Sequence, residues 1–426
     1  MPFTKSCFTT FYLLIFFSGV AYAGGPLRIE GANGHTPATY ADPNIVLNLD
    51  NGPLGNRTKA DADTLIMKAF ALWNNIITST IHFSKGADLN KDIDQTNFLT
   101  VLPNSNNTIL HEQDGLTPIV YDSDGSIIDA FFGGANPNNP DSIPQSSITV
   151  GFAASIIFSG QNNFVEGYAV INGKPLPGFD DLTTELTIAH ELGHLIGLDH
   201  TQTNINNSES QLSFPLVCTT ANNTDDYPLM YPFICRNSES LHADDISAVS
   251  ALYPASNLTQ NFGTISGFFV DTAGKAILGA NIWAENTTTG EAISTVSDYL
   301  EERNGAYTLL LPAGKYTLHA NSINPEFNAG SGIGPYTKDA FDLSFQNPHP
   351  ITPVAYQSNA SSGNAAIITV NNGSNINIVF AVDGNTGTVA PAAAQSSGGG
   401  GGGSGSLSPL YTLFLTLSLL VIRRKF

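Results

Sequence analysis

Basic residues are scarce in this sequence. Of 426 residues, 16 are Lys or Arg against 36 Asp or Glu, for a formal net charge of -20 and a pI near 4.5. A surface of that sign repels phosphate backbones and anionic lipid, which excludes nucleic acid and anionic membranes as partners of the folded part. Charge of either sign is thin, at 12%, while hydrophobic residues make up 42%. That is enough apolar material for real cores, so wholesale disorder is excluded. Cysteine and methionine are rare as well, with three of each.

The few cysteines divide by position. Lys5 precedes an almost wholly apolar run from Phe8 to Val20, and Ala21-Tyr22-Ala23 reads as an A-x-A cleavage site. Residues 1–23 are therefore expected to be a secretory signal peptide, removed after Ala23. Cys7 leaves with it, and the mature chain keeps Cys218 and Cys235. In an oxidising compartment these two form one disulfide; two free thiols are the alternative.

A chain of this length accommodates two domains. Residues 24–255 read as a mixed α/β domain. Asn44 to Leu49 alternates as a strand does, and Ile148 to Phe152 and Tyr168 to Ile171 are further strand candidates. Ala60 to Ile77 has helical spacing, with Leu65, Ala69, Leu72, Trp73 and Ile76 on one face. Thr183 to Leu195 is a second helix. Asp244 to Tyr253 is a third, with acids in its first turn where the helix dipole favours them. From Gly263 short glycine-punctuated strands follow one another, which predicts an all-β sandwich over 261–383. Residues 384–406 include six consecutive glycines, Gly398 to Gly403, and form a flexible linker. Residues 407–426 end the chain as an apolar span, Leu407 to Ile422, closed by Arg423-Arg424-Lys425-Phe426. That span is short for a transmembrane helix. Its basic end is expected on the cytoplasmic side, and the glycine tether argues against packing back onto the body.

The chemistry concentrates in His190-Glu191-Leu192-Gly193-His194-Leu195-Ile196-Gly197-Leu198-Asp199-His200. Helical residues four apart share a face, so His190 and His194 can reach one metal ion. Glu191 follows the first ligand, within reach of a water on that metal. Gly197 lets the chain turn out of the helix, and His200 can return as the third ligand. Three protein ligands leave one position open, as a catalytic zinc requires.

At these residues the sequence resembles the metzincin clan of zinc endopeptidases. Pro228-Leu229-Met230-Tyr231-Pro232 resembles the clan's methionine turn, in which Met230 would form an apolar floor below the zinc. Thr201 after the third histidine, the Met-Tyr-Pro turn, and Leu241-His242-Ala243-Asp244-Asp245-Ile246 before Leu252-Tyr253 are closest to matrixins. The resemblance implies a twisted mixed sheet with an active-site helix, followed by the all-β sandwich. It also implies Zn2+ on His190, His194 and His200, Glu191 as general base, and protein or peptide substrates. No free cysteine precedes the domain in the mature chain, so cysteine-switch latency is excluded. His111 and Asp114 fall where matrixins carry a structural zinc, but no other histidine lies between them and His190, which argues against a second zinc.

Asp122-Ser123-Asp124-Gly125-Ser126-Ile127-Ile128-Asp129 spaces oxygen ligands around a glycine. Asp122, Asp124 and Asp129 are thus candidates for Ca2+, and an Asp-Gly turn is the alternative. His35, His82, His242, His319 and His349 read as ordinary surface or core residues. Residues 264–321 resemble the carboxypeptidase regulatory-like β-sandwich, through Leu278-Gly279-Ala280, Asn304-Gly305-Ala306-Tyr307 and Leu311-Pro312-Ala313-Gly314-Lys315-Tyr316. The tail resembles the GlyGly-CTERM sorting signal of Gram-negative bacteria. That implies a transient membrane segment, processing by a rhomboid-type protease, and a product on the cell surface or outside the cell. The rival functions are a non-catalytic surface adhesin on a metalloprotease scaffold and an amidase acting on cell-wall peptide.

Overall fold

The computed structural model describes residues 25–30, 35–102, 113–134, 143–157, 162–174, 180–201, 224–323, 351–357, 364–387 and 418–421. The expected signal peptide, His111, Cys218, His349 and the glycine run lie outside the described residues. The architecture is mixed α/β, with several sheets and few helices, and passes into an all-β region toward the C-terminus.

The first sheet contains β1 (Asn44–Leu49), β2 (His82–Lys85), β3 (Pro118–Asp122), β4 (Thr149–Ile156) and β5 (Glu166–Asn172). Their spatial order is β4-β5-β3-β1-β2, and only β4 runs antiparallel to its neighbour. Strands β3, β4 and β5 are buried at nearly every position because both sheet faces are covered. On one face Ile119, Tyr121, Ala169 and Ile171 join the core under two helices. On the other, Val120, Phe152, Tyr168 and Val170 pack with Ile127 and Ile128 of α2 (Ser126–Phe132), which lies between α1 and α3 in the chain.

Helix α1 (Lys59–Asn74) starts where Thr58 accepts a hydrogen bond from the Asp61 N–H. It buries Leu65, Ala69 and Trp73, as the periodicity predicts, and adds Ala62, Ile66 and Phe70. Helix α3 (Asp181–Leu195) is capped by Asp180, whose carboxylate accepts from the Thr183 N–H at 2.8 Å. The Trp73 indole N–H donates to the Ala189 carbonyl at 2.9 Å and ties the two helices together. Helix α4 (Ala243–Leu252) follows.

The later region forms two sheets. One pairs β8 (Ala292–Val296), β7 (Ala280–Asn286), β10 (Gly314–Ser322) and β11 (Val354–Ala355) in that order, with β12 (Ile368–Val370) also on β10. The other orders β9 (Ala306–Pro312), β6 (Phe262–Val270) and β13 (Asn375–Ala381). Ile265, Phe269, Leu309 and Leu311 from one sheet share a core with Ile282, Ala284, Leu318 and Ala320 from the other. That core is continuous with the core beneath α1 and α3.

The chain end departs from expectation. β14 (Ser418–Val421) pairs antiparallel along the outer edge of β4, Leu419 opposite Phe152 and Val421 opposite Thr149. The reading that the glycine tether keeps the tail off the body is corrected here. An open strand edge offers a row of unmet backbone donors and acceptors, and a short apolar strand satisfies them. Among the described residues no helix is long and apolar enough to cross a membrane.

Candidate metal centre

Helix α3 is buried from Thr184 to Leu195, so its polar groups must be met inside the protein. The carbonyls at its C-terminal end illustrate how. The Ser155 hydroxyl donates to the Leu195 carbonyl at 2.6 Å, and the Tyr253 hydroxyl to the Ile196 carbonyl at 2.8 Å. Gly197 then takes a left-handed φ of 91°, which turns the chain back toward the helix.

That turn brings three imidazoles together. His190, His194 and His200 are all buried. Their Nε2 atoms stand 3.0 Å (His190 to His194), 3.2 Å (His194 to His200) and 3.3 Å (His190 to His200) apart. A tetrahedral ion with nitrogen ligands about 2.0–2.1 Å away needs those nitrogens about 3.3 Å from one another, and the triad matches. The tautomers match too. His190 donates its Nδ1–H to the Leu229 carbonyl at 2.6 Å, and His194 to the Leu198 carbonyl at 2.8 Å. A carbonyl only accepts, so in both rings the lone pair resides on Nε2. Lone pairs facing each other at this range repel unless a cation lies between them.

Burial drives the same rings toward the neutral form that a metal ligand requires. The His190 pKa is lowered to about 4 by desolvation, against a smaller opposing effect of the Leu229 hydrogen bond. His194 is lowered well below the ordinary value, first by desolvation and then by its two histidine neighbours. Among the described residues these three are the one group of potential ligands gathered within 4.8 Å. They can hold a metal ion.

Glu191 lies on the same helix, fully buried. Neither of its carboxylate oxygens has a hydrogen-bond partner among the described residues. Desolvation raises its pKa well above the ordinary value. It abuts β4: a Cβ added at Gly151 would lie 3.0 Å from the Glu191 Cγ and 3.1 Å from its Oε1. A larger residue there would crowd that carboxylate.

Met230 packs against helix α3 at Gly193. A Cβ added at Gly193 would stand 2.3 Å from the Met230 sulfur and 3.1 Å from the Trp73 ring, so glycine is what lets the methionine approach the helix. The turn carrying Met230 is held by Asp245, a residue the sequence marked only as a helix-dipole acid. Its carboxylate accepts from the Leu229 N–H at 2.7 Å, the Met230 N–H at 3.0 Å and the His242 N–H at 3.1 Å. The Leu229 carbonyl orients His190, and the Met230 carbonyl accepts from the Thr201 N–H at 3.0 Å. One buried carboxylate thus supports the surroundings of both the first and the third histidine.

His242 is more than an ordinary core residue. Its Nδ1 accepts from the Asp244 N–H at 3.1 Å and closes a capping box with Asp245 at the start of α4. Burial, reinforced by the Arg236 charge, lowers its pKa from 6.5 to about 3. Below 6.5 the unfolded chain takes up a proton that the folded chain refuses until about 3. Stability is therefore lost as pH falls through that window, by up to about 1.4 kcal/mol per unit. His242→Asn keeps a capping acceptor without the basic group. Urea titrations between pH 7 and 4 should show a shallower acid loss than in the wild-type chain.

The other predicted site residues are placed as follows. Cys235 is disulfide-bonded; Cys218, its expected partner, lies outside the described residues. The calcium candidates Asp122, Asp124 and Asp129 are engaged with nearby N–H and hydroxyl groups. Asp122 accepts from the Ile127 and Ile128 N–H groups, Asp124 from Ser126 N–H, and Asp129 from the Ser146 N–H and hydroxyl. The carboxylates cap α2 and brace its neighbouring turn instead of converging on one point. Asp114 accepts from the Leu116 N–H and is exposed. No family model matches the chain, and no curated protein sequence matches it.

Proposed function

We propose that the chain is an exported zinc-dependent endopeptidase of the metzincin type, matrixin-like, acting on extracellular protein. The observation that carries the reading is the convergence of three Nε2 atoms, with a buried carboxylate that has no hydrogen-bond partner among the described residues on the helix that bears two of the histidines. Zinc accepts three imidazoles and keeps one position open, and the donor set here is all nitrogen. The Met230 floor, the antiparallel β4 and the apolar-faced helix support the same assignment. Export rests on the signal-peptide and tail motifs in the sequence.

Zinc held by the triad supplies Lewis acidity, polarising a scissile carbonyl and acidifying a water. Glu191 takes the proton of the attacking water on a carboxylate oxygen and hands it to the leaving amine nitrogen. Burial raises the Glu191 pKa well above the ordinary carboxylate value, which makes its carboxylate a stronger base for the water's proton. Gly151 brings the backbone of β4 past the Glu191 side chain, so an extended peptide laid along this edge presents its bonds to the centre.

The same edge of β4 carries β14. A peptide substrate therefore competes with the chain's own tail. A chain ending at residue 390 should cleave a denatured protein mixture several-fold faster than one retaining residues 391–426. Equal rates would show that the tail does not hold the edge in solution. If both chains bind zinc and neither cleaves, the protease reading fails and a surface-binding protein on the same scaffold takes its place.

A further inference from the structure

The loop that delivers His200 is held from outside its own region. Its backbone is bracketed by the N-terminal segment: the Leu27 N–H donates to the Gly197 carbonyl at 2.8 Å, and the Asp199 N–H to the Gly25 carbonyl at 3.2 Å. The Asp199 side chain accepts from the His200 N–H at 2.7 Å. Its other carboxylate oxygen accepts from the hydroxyl of Tyr299 at 2.7 Å, across 100 positions of sequence. Tyr299 belongs to the segment between β8 and β9 of the sandwich. One residue further along the ligand loop, the hydroxyls of Thr201 and Ser294 on β8 lie 3.1 Å apart. The three side-chain contacts are buried.

The segment that presents Tyr299 is strained. Asp298, Glu301 and Arg303 all take left-handed φ values, 63°, 55° and 59°, and among the described residues they are the non-glycine residues that do so. Such backbone persists only where its surroundings over-determine it. Here they do. Asp298 accepts from the Asn304 and Gly305 N–H groups, and the Leu300 carbonyl pairs with the His35 ring at 2.7 Å. Gly25 lies flat against the Tyr299 ring, where an added Cβ would come within 1.9 Å of it. The strained turn thus clamps the Tyr299 ring and aims its hydroxyl at the residue preceding the third histidine.

We infer that Tyr299 is a positioning residue of the metal centre, through which the sandwich holds Asp199 and with it the His200 ligand. The inference rests on the metal-site reading above. It gives the second sheet pair a role in metal retention, beyond that of a spacer. Tyr299→Phe keeps the ring that packs on Gly25 and removes only the hydroxyl, leaving the Asp199 oxygen without that donor.

The test uses the full mature chain, stripped of metal and titrated with Zn2+ and with Co2+ as a spectroscopic probe. Tyr307→Phe is the matched control, because Tyr307 is a buried tyrosine of the same region whose hydroxyl donates to the Ile378 carbonyl inside the sandwich. Tyr299→Phe should weaken Zn2+ affinity about tenfold or more and alter the Co2+ visible spectrum, while Tyr307→Phe leaves both unchanged. Asp199→Asn serves as the second variant if Tyr299→Phe fails to fold, with the same expected loss. Equal affinity and spectrum in wild type and Tyr299→Phe, or in wild type and a folded Asp199→Asn, would overturn the inference. A wild-type chain that binds neither ion would instead overturn the metal-site reading beneath it.

Discussion

Glu191→Ala should slow peptide cleavage by at least about a hundredfold and leave the metal content unchanged, since a positioned general base contributes roughly 10²–10⁴ in rate. The two halves of that result have separate causes. Glu191 is not among the three side chains whose nitrogens converge, so its loss removes no ligand. Its oxygens make no hydrogen bond among the described residues, so no structural network collapses with it. A buried acid raised above its ordinary pKa with nothing structural to do is poorly explained as a stabilising group. It is well explained as a proton carrier. The check is a side-by-side rate measurement with elemental analysis of both proteins. A variant that still cleaves within a few-fold of wild type would move the base to another residue.

Asp245→Ala should have the largest effect on stability, about 3–5 kcal/mol. Three backbone N–H groups, of Leu229, Met230 and His242, converge on this carboxylate. Each buried donor left without an acceptor costs about 1–3 kcal/mol, and the turn can relax to recover part of the sum. The loss should reach the metal as well, because the Leu229 carbonyl that orients His190 belongs to that turn. Asp245→Asn, with a single acceptor oxygen, should fall between. Urea melts with Zn2+ titrations measure both effects. An alanine variant as stable as wild type would mean that the turn holds itself.

The histidine spacing and the glycine between the second and third ligands are local facts, and helix geometry converts them directly into a shared face and a return turn. The triad was therefore legible in the sequence. So were Trp73 on the buried face of α1, the strand at Asn44–Leu49, and Tyr168 to Ile171 within the strand Glu166–Asn172, because periodicity marks them. What supports the triad was not legible. Asp245 has the same position in its helix whether it answers the dipole or binds the turn below the ligands. Tyr299 sits 100 residues from its partner, and no local pattern marks that distance. Asp122, Asp124 and Asp129 matched a calcium-loop spacing because capping turns and metal loops use the same short oxygen-bearing side chains. For the tail, composition revealed an apolar span; the pairing of Ser418–Val421 with β4 depends on an edge built from residues far upstream.

On the proposed assignment, His190, His194 and His200 together hold one zinc ion. The most direct measurement is the zinc content of the purified full-length chain, compared with His194→Ala under the same conditions. One zinc per wild-type chain and essentially none in the variant is the expected result. A wild-type chain without metal, or a variant that keeps its full complement, would contradict it.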